Sequence, residues 1–143
     1  MIIRAESPAD IDAITAVTIA ALTLTLVAEL DGQVVGHIAF SPVAISDGSQ
    51  NWHGLGPISV LQAYQRQGIG KALVQEGLSR LKALGGNGCA FVGDPGFYQR
   101  FSFRNIPGFI HEGIPQEVFL ALPFTEKIPH GAIVFHQGFS ATS

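Results

Sequence analysis

The chain has 143 residues, a length that suits one domain with its own hydrophobic core. Hydrophobic residues make up 47% of it and charged residues only 13%, which excludes disorder as the dominant state. The net charge of −3 argues against a protein that binds nucleic acid through a basic surface. The surplus of apolar residues indicates a self-association interface, such as that of a homodimer, or a ligand cleft, or simply a compact domain with few charges.

The sequence contains no targeting or membrane signal that we recognise. Acidic residues, beginning with Glu6, interrupt the N-terminus too early for a signal peptide. The longest uncharged stretch, residues 13–28, contains four threonines and is shorter than the roughly 20 apolar residues of a membrane-spanning helix. The single cysteine, Cys89, has no partner for an internal disulfide. We therefore expect a cytoplasmic protein that does not enter a membrane.

The first third of the chain predicts a strand, a helix and a hairpin. Ile2-Ile3-Arg4 predicts a short first strand. Ser7-Pro8-Ala9-Asp10 is typical of a helix start, because serine caps the helix, proline suits its first position and aspartate interacts favourably with the helix dipole. From Leu22 onwards alternate residues are apolar, which indicates a strand. Asp31-Gly32 then predicts a tight turn into the third strand, over residues 33–45.

The rest of the chain predicts two more strands around a helix, followed by shorter elements. The fourth strand, residues 52–61, contains Pro57, so we expect a bulge there, since proline removes a donor from the strand ladder. Further along come a helix at 71–84, an apolar strand at 89–92, a brief helix at 95–101 and a late strand at 117–122. The apolar stripe of the longer helix contains Ile69, Leu73, Gly77, Leu81 and Leu84. This order predicts one mixed α/β domain over residues 1–143.

The segment between the fourth strand and the longer helix carries the clearest chemical signal. The helix begins with Gln67-Gly68-Ile69-Gly70, and the unpaired N–H groups of a helix start form an anion site that glycines let a phosphate approach closely. Arg66 and Lys71 add positive charge. These residues predict a pyrophosphate-type ligand at 66–71.

Two common phosphate-binding motifs do not fit this segment. A P-loop would need glycine in place of Gln65, and a dinucleotide fingerprint would need glycine in place of Leu73. The pattern Gln65-x-x-Gly68-x-Gly70 does fit the GCN5-related N-acetyltransferase (GNAT) superfamily, which the sequence resembles, in particular its small bacterial YhbS-like predicted members. The resemblance runs from about Ile2 to Phe124 and includes Gly56-Pro-Ile-Ser-Val60 and Gly93-Asp-Pro-Gly-Phe-Tyr-Gln-Arg-Phe-Ser-Phe103.

This resemblance implies a mixed, mostly antiparallel sheet flanked by helices, with the fourth and fifth strands splayed apart. Acetyl-CoA would lie in the gap as cosubstrate and pass its acetyl group directly to an amine, with no metal. Backbone groups of Ile58, Ser59 and Val60 would bind the pantetheine arm. The remaining cofactor-binding residues that the resemblance implies form or surround the pyrophosphate cradle: Gln65, Arg66, Gln67, Gly68, Ile69, Gly70 and Lys71.

The resemblance also assigns a general acid. Tyr98 occupies that position and would protonate the departing thiolate, or else it packs against the cofactor without chemistry. Ser102 stands where the family prefers glycine. The resemblance does not assign a general base. The candidates are a chain of water molecules and four side chains: Glu29, His37, His53 and Asp94.

Three functions remain in competition. The chain is an N-acetyltransferase acting on an unknown amine, a CoA-binding module of the same fold without acyl transfer, or a structural domain that serves assembly. The intact motif over residues 65–70 disfavours the third, and Tyr98 favours the first over the second. His111, His130 and His136 lack close metal-ligand spacing. Residues 105–113 and 128–143 contain no recognisable acceptor motif.

The predicted helix meets the next strand at Ala21–Leu22 with no turn residues between them, although such connections usually take about 2–6 residues. Members of the family usually carry a second helix at this point, and it forms a wall of the acceptor site. Either the predicted helix ends before Ala21, or a segment has been deleted here or omitted from the printed sequence, and we favour omission over deletion. An intact mass of 15.1 kDa would exclude an omitted segment.

Overall fold

The computed structural model describes residues 1–6 and 24–135, and the predicted helix after Ser7 and the junction at Ala21–Leu22 lie outside them. The described residues form eight strands: β1 (Ile2–Ala5), β2 (Leu24–Leu30), β3 (Gln33–Ile45), β4 (Trp52–Val60), β5 (Gly88–Val92), β6 (Phe109–Ile110), β7 (Phe119–Pro123) and β8 (Gly131–Phe135). They also form two α-helices, α1 (Ile69–Ala83) and α2 (Pro95–Tyr98). Neither helix is long and apolar enough to cross a membrane.

The strands form one mixed sheet in the order β1-β2-β3-β4-β5-β7. Neighbours in this order are antiparallel except β4 and β5, which run parallel. β3 is long enough to pair with β2 along its first part and with β8 near its end, and the short β6 adds to β8. The predicted mixed, mostly antiparallel sheet with helices is confirmed.

Local sequence signals explain the turn and the irregularity around β3. Asp31 and Gly32 have φ angles of 52° and 80°, as a hairpin turn with two left-handed residues requires, so the predicted hairpin is confirmed. Ile38 pairs with Ile58, but Phe40 pairs with Leu55. Two residues of β4, including Pro57, therefore lie opposite one residue of β3, which confirms the predicted bulge.

Apolar residues pack on both faces of the sheet. On one face, α1 lies over β2 and β3, and Gly77 lets the Phe40 ring approach so closely that a Cβ there would overlap the ring. On the other face, Trp52 and Phe109 meet edge to face at 5.5 Å. β4 contributes to both cores because successive residues of a strand point to opposite faces. The predicted stripe of α1 is buried except at Leu84, which is 66% exposed, so that member of the prediction was wrong.

The strands β6 and β8 were not predicted from the sequence. β8 is held beside the end of β3 by side chains of the following turn: Ser46 Oγ accepts a hydrogen bond from Ala132 N at 2.9 Å, and Asp47 Oδ2 accepts one from His130 N at 2.8 Å. The hydrogen bond from His130 is the main reason why the pKa of Asp47 lies below its usual value. These contacts place β8 beside the end of β3, on the edge opposite the one that pairs with β4.

Candidate functional site

β4 and β5 pair only over a short stretch and then separate. Their parallel pairing ends at Gly54 opposite Ala90, although β4 continues to Val60. β5 meanwhile stays paired with β7 as far as Val92 opposite Phe119. Because β5 follows β7 and β4 follows β3, a wedge opens between them, and one edge of β4 lacks a strand partner there. The predicted splay is therefore present.

The backbone of β4 presents alternate residues to this wedge. Leu61 N donates to Val35 O at 2.8 Å, so the Val60 carbonyl of the same peptide unit points the opposite way, into the wedge. Backbone direction alternates along a strand, so the N–H and C=O groups of Ile58 and Val60 face the wedge. Those of Ser59 face β3, where Ser59 pairs with His37. Of the three residues implied for the pantetheine arm, two thus offer backbone groups to the gap, although the Val60 carbonyl already accepts a hydrogen bond from Gln65 Nε2.

A tight turn carries the chain from β4 into α1. Gln65 Nε2 donates to Val60 O at 3.0 Å and so holds the turn against the strand. Arg66 and Gly68 both adopt left-handed conformations, with φ angles of 66° and 85°. Gly68 is the N-cap of α1 and provides no side-chain cap, and the first turn of the helix has no acidic residue. The first N–H groups of α1 are therefore left to bind an anion.

A cavity of about 330 Å³ lies at this helix start; we call it the helix-end cavity. Its charged lining side chains are all cationic: Arg66, Lys71 and Arg100. Arg100 lies over the ring of Phe97, 4.8 Å from its centroid, and Phe97 also lines the cavity. The sequence motif did not identify these last two residues, because α2 and the turn after it bring them to the helix start from 30 residues away. The motif residues that line it are Gln65, Arg66, Gly68, Ile69, Gly70 and Lys71.

A second cavity, of about 850 Å³, fills the wedge itself; we call it the cleft cavity. Leu55 and Phe91 line it from one core, and Ile114 and Ile133 line it from the other, so it passes through the sheet. It reaches Ile58, while the helix-end cavity reaches Val60. The two cavities therefore lie at the two ends of one exposed strand edge.

Tyr98 lies between aromatic residues of the two cavities. Its ring packs on Phe91, which lines the cleft cavity, with centroids 3.8 Å apart, and on Phe97, which lines the helix-end cavity, with centroids 4.8 Å apart. Tyr98 itself is 5% exposed and is not in the wall of either cavity. Burial raises the pKa of Tyr98 to about 12. The hydroxyl is therefore a proton donor and not an anion at neutral pH.

The four side chains considered as a general base lie outside the cleft cavity. Glu29 is paired with Arg4 at 3.2 Å, and Asp94 caps α2 through a hydrogen bond from Gly96 N at 2.9 Å. His37 Nε2 lies 3.5 Å from a buried carboxylate oxygen of Glu6. Burial lowers the pKa of His53 and so favours its neutral form. The titratable residues that do line the cleft cavity are His111 and Glu112, which the sequence reasoning did not consider for this purpose.

Ser102 adopts the left-handed conformation that glycine prefers, with φ of 73°. We expect Ser102→Gly to raise the free energy of unfolding by about 0.5–1 kcal/mol, since the steric cost of the left-handed backbone outweighs the added entropy of an unfolded glycine. Chemical denaturation measures this. The matched control is Ser79→Gly on the exposed side of α1, where the same change should lower stability by about 0.5 kcal/mol. A loss of stability at both positions would contradict the explanation.

Within residues 1–6 and 24–135, no three His, Cys, Asp or Glu side chains are grouped so that they could hold a metal ion. The charged and polar groups that could bind a ligand here line the two cavities and the strand edge between them.

Comparisons with known proteins agree with this arrangement. The model of the acetyltransferase (GNAT) family matches residues 6–103. A crystal structure of a GNAT family acetyltransferase from Brucella melitensis in complex with acetyl-CoA is 39% identical, with a TM-score of 0.79 over 96% of this chain and 97% of that one. The structure of YhbS from Escherichia coli in complex with CoA is 30% identical, with a TM-score of 0.84 over 97% of this chain and 91% of that one.

Curated proteins of the same family match a shorter stretch of the chain. The chain is 44% identical over 84 residues to the uncharacterized N-acetyltransferase YhbS of Escherichia coli K12, which is 58% of this chain and 50% of that protein. It is 31% identical over 87 residues to the uncharacterized N-acetyltransferase YjhQ of the same strain, which is 59% of this chain and 48% of that protein. The chain thus spans about half the length of the curated relatives it matches. The family match and the two structural likenesses extend further, and on them the chain belongs to the GNAT family of acetyltransferases.

Proposed function

We propose that the chain is an acetyl-CoA-dependent N-acetyltransferase that passes an acetyl group directly to an amine. The observation that carries this proposal is the alignment of a cationic helix-end cavity, an unpaired strand edge and an apolar cleft cavity along β4. A cationic, a hydrogen-bonding and an apolar environment in this order suit a molecule with a charged phosphate end, an amide-containing arm and an uncharged thioester. The complexes of the two related proteins with acetyl-CoA and CoA support the same assignment.

Each part of acetyl-CoA has a counterpart in the site. The pyrophosphate would lie at the N-terminus of α1, where backbone N–H groups, Arg66, Lys71 and Arg100 supply positive charge. The pantetheine amides would bind the backbone groups of Ile58 and Val60. The thioester would then reach the cleft cavity, where a backbone N–H of this edge can donate to its carbonyl oxygen as negative charge develops there.

The chemistry requires one bond to form and one to break. The neutral amine nitrogen attacks the thioester carbon, the C–N bond forms, and the C–S bond breaks with its electron pair going to sulfur. Tyr98 donates its phenolic proton to the thiolate and regains one from water. The acceptor, starting as an ammonium ion, loses one proton to water before attack and a second as the amide forms, so that one proton is released overall.

Titration with acetyl-CoA followed by a thiol-release assay tests the proposal. We expect acetyl-CoA to bind one per chain, with an affinity that falls as salt rises because the phosphates meet cations. We expect free CoA to appear at a rate that depends on added amine. Absence of acetyl-CoA binding would refute the proposal. Binding with no amine-dependent release over a broad panel of amines would instead identify a CoA-binding module.

A further inference from the structure

We propose that the acceptor is an amine carried on an uncharged, mainly apolar body, and that Glu112 binds its ammonium group. This inference rests on the proposed function, because it assigns the part of the cleft cavity that the thioester leaves empty. Neither the family match nor the motif over residues 65–70 concerns this part of the site, which β8 and the segment before β7 provide.

The walls of the cleft cavity set the character of the acceptor body. A volume of about 850 Å³ is large enough for a small ligand beside the thioester. Nine of the thirteen lining residues have aliphatic, proline or aromatic side chains: Leu55, Pro57, Ile58, Phe91, Val92, Ile114, Ala132, Ile133 and Val134. A second charged group on the acceptor would lose its hydration against these walls without gaining a partner, which is costly.

The charged side chains of the two cavities have opposite signs. The helix-end cavity has three cationic lining residues and no carboxylate. The cleft cavity has one carboxylate, that of Glu112, and no lysine or arginine. An anionic end of the cosubstrate and a cationic acceptor would therefore each meet complementary charge at opposite ends of the β4 edge. Glu112 is exposed, so it lies where an arriving ammonium group would still be hydrated.

His111 fixes the backbone next to Glu112. Its Nδ1 lies 3.1 Å from the Glu112 carbonyl oxygen, and its ring meets the edge of Phe119 at 5.9 Å and 85°. A carbonyl oxygen only accepts hydrogen bonds, so Nδ1 carries the proton and donates. The contact ties the Glu112 backbone to a ring that is itself packed on β7. We therefore assign Glu112 the role of acceptor recognition.

Matched pairs of acceptors test the inference in the 143-residue protein. The pairs are 2-phenylethylamine with phenylalanine, tryptamine with tryptophan, and pentylamine with 6-aminohexanoic acid, so each pair shares a body and differs by one carboxylate. We expect the native protein to favour the simple amine of each pair by about tenfold or more in kcat/KM, since a like charge beside Glu112 is repelled. A preference for the carboxylate-bearing member, or turnover confined to amines with several charges, would overturn the inference.

Glu112→Gln removes the charge while keeping the shape of the side chain. We expect KM for 2-phenylethylamine to rise about fivefold with kcat changed less than twofold, as for loss of an exposed charge pair that acts equally in ground and transition states. Glu117→Gln is the matched control, because Glu117 is exposed, carries the same charge and is not in the wall of the cleft cavity. An unchanged KM in Glu112→Gln, or an equal rise in both variants, would refute the role of Glu112.

Calorimetric titration of 2-phenylethylamine into the protein saturated with CoA separates this inference from the proposed function. If CoA binds and the amine binds more weakly to Glu112→Gln than to the native protein, the inference holds whether or not turnover occurs. If acetyl-CoA and CoA fail to bind, the proposed function fails, and amine binding that depends on Glu112 would still support recognition at this residue. Amine binding that is the same in the native protein and Glu112→Gln would overturn the inference alone.

Discussion

Replacing Tyr98 by phenylalanine is expected to lower kcat about 100-fold or more, the usual range for loss of a general acid. The thiolate would then leave without a proton donor beside it. The contacts with Phe91 and Phe97 are made by the Tyr98 ring, tilted on Phe91 and edge to face with Phe97, and phenylalanine keeps that ring. We therefore expect the acetyl-CoA dissociation constant and the thermal midpoint to stay close to those of the native protein. Single-turnover thiol release and calorimetric binding measure the two effects separately.

The pH profile adds an independent check on Tyr98. Burial raises the pKa of this hydroxyl to about 12, so it remains protonated through the neutral and mildly alkaline range. Because the protonated form is the active one, deprotonation of Tyr98 should cause no fall in kcat of the native protein within that range. If Tyr98→Phe retains kcat within twofold of the native value, the residue packs between the cavities and does no chemistry.

The turn and helix start where we propose that the cosubstrate binds could be predicted from the sequence because they are local. Gln65, Gly68 and Gly70 lie within six residues, and the turn and helix start that they form follow from nearby backbone preferences. The splay was also predictable, though only through the family resemblance, since a gap between strands depends on which neighbour each strand follows. β4 stays with β3 and β5 stays with β7, and no pattern within either strand specifies this.

The cleft cavity, where we propose that the acceptor binds, was not predictable for a related reason. Its walls come from β8 and from the segment around Glu112, which are far apart in sequence from β4. β8 is placed by two turn side chains, Ser46 and Asp47, through hydrogen bonds to backbone groups more than 80 residues away. Such contacts leave no periodic signal. Arg100 was not predicted for the same reason. Only the packing of α2 and the turn after it brings this side chain to the cavity that Arg66 and Lys71 also line.

Gly70→Asp is expected to raise the acetyl-CoA dissociation constant about 100-fold or more, since a carboxylate beside the pyrophosphate costs several kcal/mol. The same change should leave the unliganded protein intact and raise its free energy of unfolding by roughly 0.5 kcal/mol, because a negative charge in the first turn of α1 interacts favourably with the helix dipole. Space is available: a Cβ at Gly70 would have Val60 Cγ2 as its nearest contact, at 4.0 Å.

The opposite signs of these two effects make Gly70 a sharp test of the helix-end cavity. Chemical denaturation without ligand measures stability, and calorimetric titration measures acetyl-CoA affinity. Gly70→Asn is the matched control, since asparagine has nearly the shape of aspartate without its charge, and it should weaken binding far less. Equal losses in both variants would mean that steric blockage, and not charge, governs this position. If Gly70→Asp binds acetyl-CoA as the native protein does, the pyrophosphate does not lie at the N-terminus of α1, and the cationic side chains around it serve another anion.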